Sequence, residues 1–278
     1  MKFCFKFLLL SAILCGAMSA DAVDDKIRAL VDAEKYSQYR SLLDVFFKNR
    51  EDFMTAGGTA NSVKIAEHLK ANGLLDIFYK DRRVLQASFR ASENPMFFLK
   101  AIGESLDRLG YKFTPISKMS WDYSLFEWTL SYKSNHAIDP AALAKELAKY
   151  GVTIEDITKQ DDSWQYLLSS KNPTVPDAYL LSMSNNKRSP LKIKNIYGEY
   201  WIKLPRGASK IYVEKESGSW MVYAVFYDLG LNPLQSAQSK TLVKDFRASI
   251  PSSAAYIKIT DNDYASALQR GINVWVED

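Results

Sequence analysis

Residues 84–110, VLQASFRASENPMFFLKAIGESLDRLG, and residues 139–151, DPAALAKELAKYG, decide the fold class. In the first stretch Leu85, Ala87, Phe89 and Ala91 share one side of an alternating run, the two-residue period of a strand. Asn94-Pro95 then offers a cap and a first-turn proline. Phe97, Phe98, Ile102, Leu106 and Leu109 follow at helical spacing until Gly110. The second stretch repeats cap, proline and glycine stop at Asp139, Pro140 and Gly151, around Leu143, Leu147 and Tyr150. Tyr111 to Trp121 reads as strand, Phe126, Trp128, Leu130 and Tyr132 alternate as the next, and Val152 to Thr158 forms a third. A polar turn at Gln160-Asp161-Asp162 leads to a short strand at Trp164 to Leu168. Strand, helix, strand, strand, helix, strand, plus one, predicts a ferredoxin-like (split βαβ) plait over residues 81–170. Such a plait hosts many functions and assigns none.

On either side the pattern changes. Within residues 21–80, Ile27, Leu30, Val31, Leu42, Leu43, Phe46 and Phe47 predict a helix over Asp24 to Met54. Gly57-Gly58 breaks it, and a second helix from Asn61 to Ala71 ends at Gly73, giving an N-terminal helical hairpin. Residues 171–190, with Asn172-Pro173, Pro176-Asp177 and Asn185-Asn186-Lys187-Arg188, read as a linker. Residues 191–278 carry short strands at Lys192–Ile196, Tyr200–Leu204, Lys210–Lys215, Trp220–Tyr227, Thr241–Phe246, Tyr256–Thr260 and Ile272–Val276. With a hairpin turn at Ser217-Gly218-Ser219, they predict a C-terminal antiparallel β-sandwich. The class expected is α+β.

Residues 1–20 read as a cleavable signal peptide: Lys2 and Lys6, an apolar run from Phe7 to Ile13, then Gly16, Ala17, Ser19 and Ala20. The run is shorter than the ~20 residues of a membrane span. Small residues at −3 and −1 fit a cut after Ser19 or after Ala22. Cys15 raises a lipid-anchored alternative, against which stands Leu14, where a small residue is usual. Cys4 and Cys15 are the two cysteines of the chain, so an exported product has neither disulfide nor thiolate site. The net charge of +4 falls to about +2 without Lys2 and Lys6. No basic block suggests nucleic acid. These features predict a periplasmic address.

Chemistry-bearing motifs are sparse. His68 and His136 read as ordinary surface histidines, with no HExxH, no GxSxG and no metal-ligand spacing. Neither a cofactor nor a metal is expected. Glu155-Asp156, Asp161-Asp162 and Asp261-Asn262-Asp263 are the dense acids. The last could offer oxygens to calcium, and an acid hydrolase would need two carboxylates facing across a cleft. The C-terminal strands are more telling. One face collects Ile202, Leu204, Ile211, Val213, Val222, Ala224, Phe226, Ile257, Ile259, Ile272, Val274 and Val276, a predicted core. The other collects Trp201, Lys203, Tyr212, Glu214, Tyr223, Tyr227, Tyr256, Lys258, Asn273 and Trp275. Aromatic rings with polar handles between charges suit sugar rings and protein partners alike. Trp201, Lys203, Tyr212, Tyr223, Tyr227, Tyr256, Lys258 and Trp275 are therefore the candidate contact residues. The same face packed under another part of the protein would be structural.

YSQYRSLLDVFFKNREDF (residues 36–53), IAEHLKANGLL (65–75) and DPAALAKELAKYGVTIEDI (139–157) resemble uncharacterised periplasmic proteins of campylobacters and their relatives. The resemblance covers fold-bearing stretches, implies a periplasmic location and transfers no functional residue. The sequence thus predicts a non-enzymatic binding or assembly protein of the bacterial envelope, its partner an envelope protein or a glycan. The alternatives are a glycan or peptidoglycan module using the aromatic face, and an acid hydrolase.

Overall fold

The computed structural model describes residues 22–111, 116–122, 124–262 and 265–278. The expected leader lies outside the described residues, as do residues 112–115 of the expected second strand and Asp263 of the acidic triplet. The chain is mixed α+β with three sheets. It divides into two compact units, Met1–Asn172 and Pro173–Asp278.

In the first unit, α1 (residues 22–30), α2 (Ala33–Gln38) and α3 (Arg40–Phe46) replace the single long helix expected there. Asp32 takes an extended backbone with ψ 147°, and α2 buries none of its residues. Without a packed face, nothing holds a continuous rod through the polar run. A 3₁₀ turn at Arg50–Phe53 leads to α4 (Ser62–Ala71), capped by Asn61, whose Oδ1 accepts from Lys64 N at 3.0 Å. Gly73 ends α4 at φ +71°.

Strand β1 (Phe78–Ala91), α5 (Pro95–Arg108), β2 (Ile116–Trp121), β3 (Phe126–His136), α6 (Pro140–Ala148), β4 (Val152–Gln160) and β5 (Ser163–Ser170) follow in the order read from sequence. Asp139 caps α6 as expected, accepting from Ala141 N at 3.0 Å. Asn94 instead adopts φ +50° and its side chain caps nothing. The sheet runs β2-β3-β1-β5-β4. A four-stranded plait would put β4 beside β1, but β5 lies there, parallel to β1 from Gln86↔Ser163 to Ala91↔Leu168. Strand β4 stays at the edge but pairs with β5 in place of β1. Trp164, Tyr166 and Leu168 of β5 are buried, and the Tyr166 and Phe89 rings stack at 5.3 Å. The strand with the larger rings takes the inner place, and the Asp161-Asp162 turn folds its hairpin partner outside it.

The second unit holds β6 (Tyr179–Leu180), β7 (Leu191–Ile193), β8 (Tyr200–Lys203), β9 (Lys210–Lys215), β10 (Val222–Tyr227), β11 (Pro233–Gln238), β12 (Asp245–Ser249), β13 (Tyr256–Asp261) and β14 (Ile272–Glu277). They form a five-stranded sheet, β11-β10-β13-β8-β6, and a four-stranded sheet, β12-β9-β14-β7. All pairs are antiparallel except β6 with β8, where β6 comes from the segment read as linker. Every residue of the predicted aliphatic face lies in one buried cluster drawn from both sheets, together with Tyr200 and Trp220. Two differences matter for the site. Strand β11 was not expected, because Pro-Leu-Gln-Ser-Ala-Gln has little strand pattern; it sits at an edge, where proline is tolerated. Ser217-Gly218-Ser219 is no hairpin: β9 and β10 belong to different sheets, and the chain crosses there. Lys215, buried on the core side of β9, donates to Ser219 O at 2.8 Å and pins that crossing.

Candidate functional site

Strand alternation tells which side of a strand faces inward, but not to which sheet the strand belongs. From β7 to β10 the chain alternates between the two sheets, and it does so again from β11 to β14 after β10 and β11 pair as neighbours. The aromatic face read as one surface is therefore divided. Trp201, Lys203, Tyr223, Tyr227, Tyr256 and Lys258 stand on the outer side of the five-stranded sheet, whereas Tyr212, Glu214, Asn273 and Trp275 stand on that of the four-stranded sheet.

On the five-stranded sheet Glu199 closes the polar handles of Trp201 and Lys258, while Lys203, Tyr223 and Tyr227 form no hydrogen bond or ion pair through their side chains among the described residues. The Trp201 and Tyr227 rings lie 5.1 Å apart, and Lys258 Nζ sits 5.7 Å from the Trp201 centroid. Trp201 Nε1 donates to Glu199 at 3.0 Å, and Lys258 pairs with the same carboxylate at 3.0 Å. Burial raises the Tyr227 phenol above its ordinary pKa. Tyr223 is 39 % exposed. Tyr256 is only 1 % exposed, so it is no surface contact residue, and its hydroxyl has no hydrogen-bond partner among the described residues.

The four-stranded sheet carries a groove of about 580 Å³. Cross-strand register sets its floor: Arg247 of β12 lies opposite Tyr212 of β9, and Tyr212 lies opposite Trp275 of β14. The two rings are parallel within 2° at 5.5 Å between centroids. Trp275 is 7 % exposed, a wall more than a platform. Tyr212 donates to Glu277 at 2.7 Å, which raises the phenol's pKa. Asp245 lies opposite Glu214, which Lys244 approaches at 3.2 Å. Lys187 and Phe246 complete the lining. Lys187 belongs to a turn fixed by its own polar side chains. Ser182 N donates to Asn185 Oδ1 at 2.9 Å, and Val276 N of β14 donates to Asn185 O at 3.3 Å. Among the described residues Lys187, Asp245 and Arg247 form no hydrogen bond or ion pair through their side chains.

Sequence reading missed Asp245, Arg247, Lys187 and Glu277 as site residues. The first two had a signal: Asp-Phe-Arg-Ala-Ser alternates, but the strand was placed at Thr241–Phe246, short of Arg247. Lys187 had none, because a turn's position over a sheet is set by tertiary hydrogen bonds.

Elsewhere several titratable groups serve the fold. His68 is half-buried, with its ring 5.0 Å from that of Phe47 and 5.1 Å from that of Phe53, and with Nε2 3.1 Å from Phe46 O, so it is not the surface histidine expected. His136 is exposed. Asp156 joins Lys26 and Ser62, and Asp162 meets Arg83 at 3.2 Å. Among the described residues no three His, Cys, Asp or Glu side chains are grouped to hold a metal ion. No helix among them is long and apolar enough to cross a membrane. No family model, curated protein or solved structure matches the chain significantly.

Proposed function

We propose that this chain is an exported, non-enzymatic binding or assembly protein of the bacterial envelope. It is built from a plait of the split βαβ type with one inserted strand, followed by a two-sheet sandwich. The single observation that carries the reading is the groove of the four-stranded sheet. An aromatic wall lies beside two cations and a carboxylate that have no partner among the described residues. Groups that a fold does not use for itself are available to a ligand. The basic, apolar and small-residue order of residues 1–20 supports export.

A second reading, a glycan or peptidoglycan module, is favoured by the Tyr212–Trp275 pair, whose rings stand beside carboxylates able to accept from sugar hydroxyls. Of the three groove acids, Tyr212 donates to Glu277 and Lys244 pairs with Glu214.

Retention on purified cell-wall sacculi tests the cell-wall reading, and its dependence on Arg247 tests the groove. Arg247→Gln is expected to weaken retention at least fivefold with unchanged circular dichroism. Retention unaffected by Arg247→Gln removes the groove from the account. Absence of retention removes the cell-wall reading.

A further inference from the structure

We infer that the groove takes a short zwitterionic peptide, two or three residues long with free ammonium and carboxylate ends. This rests on reading the groove as the binding site. Its outward side chains form rows across the strands. One row places Asp245 directly opposite Glu214. Like charges so placed repel; Lys244 offsets Glu214, while Asp245 has no partner among the described residues. That end favours an added cation. The next row, two residues along, runs Arg247, Tyr212, Trp275. Arg247 has no carboxylate partner there, and Lys187 lines the same groove without one. Arg247 offers a planar fork suited to a carboxylate.

Rows two residues apart along a strand are about 7 Å apart. An extended chain spans about 3.3–3.6 Å per residue, so the ends of a di- or tripeptide reach both rows. The Tyr212–Trp275 wall would pack against its apolar atoms and exclude water, strengthening both ion pairs. A neutral ligand would desolvate Asp245, Arg247 and Lys187 without replacing their lost hydration.

Calorimetric titration of the full chain, freed of its leader, would use tri-alanine with free ends, its N-acetyl form, its C-terminal amide, and chitotriose. The expected result is saturable binding of the free tripeptide, weakened at least tenfold by either block. Arg247→Gln should abolish discrimination against the amide but keep that against the acetyl form, and Asp245→Asn should do the reverse. Equal binding of free and blocked peptides would overturn the zwitterion inference and leave the groove reading standing. Binding of chitotriose without binding of the tripeptide would overturn it in favour of a glycan. Failure of all four probes overturns the inference, and the sacculus assay with Arg247→Gln then decides separately whether the groove reading falls too.

Discussion

Tyr256 and Trp275 look alike in the sequence, each an amphipathic aromatic at an outward strand position, and both are buried, in different surroundings on different sheets. Tyr256 is buried with its hydroxyl unpartnered among the described residues, so that hydroxyl adds desolvation cost and no bond. Tyr256→Phe is expected to leave stability unchanged or to raise it by up to about 1 kcal/mol; a lower midpoint in urea would reveal a partner for the hydroxyl. Trp275 is stacked on Tyr212 and nearly buried. Trp275→Ala should therefore cost about 3–5 kcal/mol, typical of a large buried ring. That loss makes it a poor probe of binding, and exposed Arg247 the better one. Which aromatics face solvent was not legible, because alternation assigns a side and not what lies against it. The aliphatic inward residues were legible, since apolar side chains recur at every second position of those strands, whereas Tyr200, Trp220 and Lys215, buried with them, were not.

Helices α5 and α6 show how far local chemistry reaches. Pro95, Gly110, Asp139, Pro140 and Gly151 mark their ends as the sequence suggested, and Gly110 and Gly151 adopt φ +89° and +72°, which favour glycine. Gly103, in the middle of α5, has no such need. A Cβ there would lie 3.8 Å from the Trp128 ring, an ordinary contact. Gly103→Ala should therefore stabilise by about 0.5–1 kcal/mol, read as a higher thermal midpoint; a lower midpoint would mean that α5 sits tighter on β3 than this geometry allows. The joint before α6 is held by three tyrosines. Tyr111 Oη donates to Ala137 O at 3.1 Å, Tyr166 Oη donates to Ile138 O at 3.2 Å, and Tyr132 Oη accepts from Ile138 N at 3.3 Å. Burial raises all three phenols, Tyr111 to about 12. A phenol with a raised folded pKa contributes stability that is complete below its unfolded pKa near 10 and is lost as pH rises through the folded value. Phenolate absorbance of these tyrosines should thus appear late, above about pH 10 and together with unfolding. Full ionisation at pH 10 in the folded protein would contradict the clamp. The place of β5 between β1 and β4 was not legible, because an added hairpin strand leaves the same order of elements whether it joins the edge or the interior.

For the whole chain, two units carry different burdens. The first unit holds a sheet whose rings and tyrosine clamps serve the fold, while the second alternates between two sheets and, among the described residues, leaves charged groups beside an aromatic wall without partners. The division of the aromatic residues between two outer surfaces came from that alternation, which no local pattern announces. What distinguishes the four-stranded sheet is its groove, whereas on the five-stranded sheet Glu199 satisfies both the Trp201 ring nitrogen and Lys258. The most direct test of the central claim is retention of the wild-type chain and of Arg247→Gln on purified sacculi, at matched circular dichroism. The account predicts retention of the wild type and at least a fivefold loss in the variant. Equal retention of the two would contradict it, and retention of neither would remove the cell-wall reading.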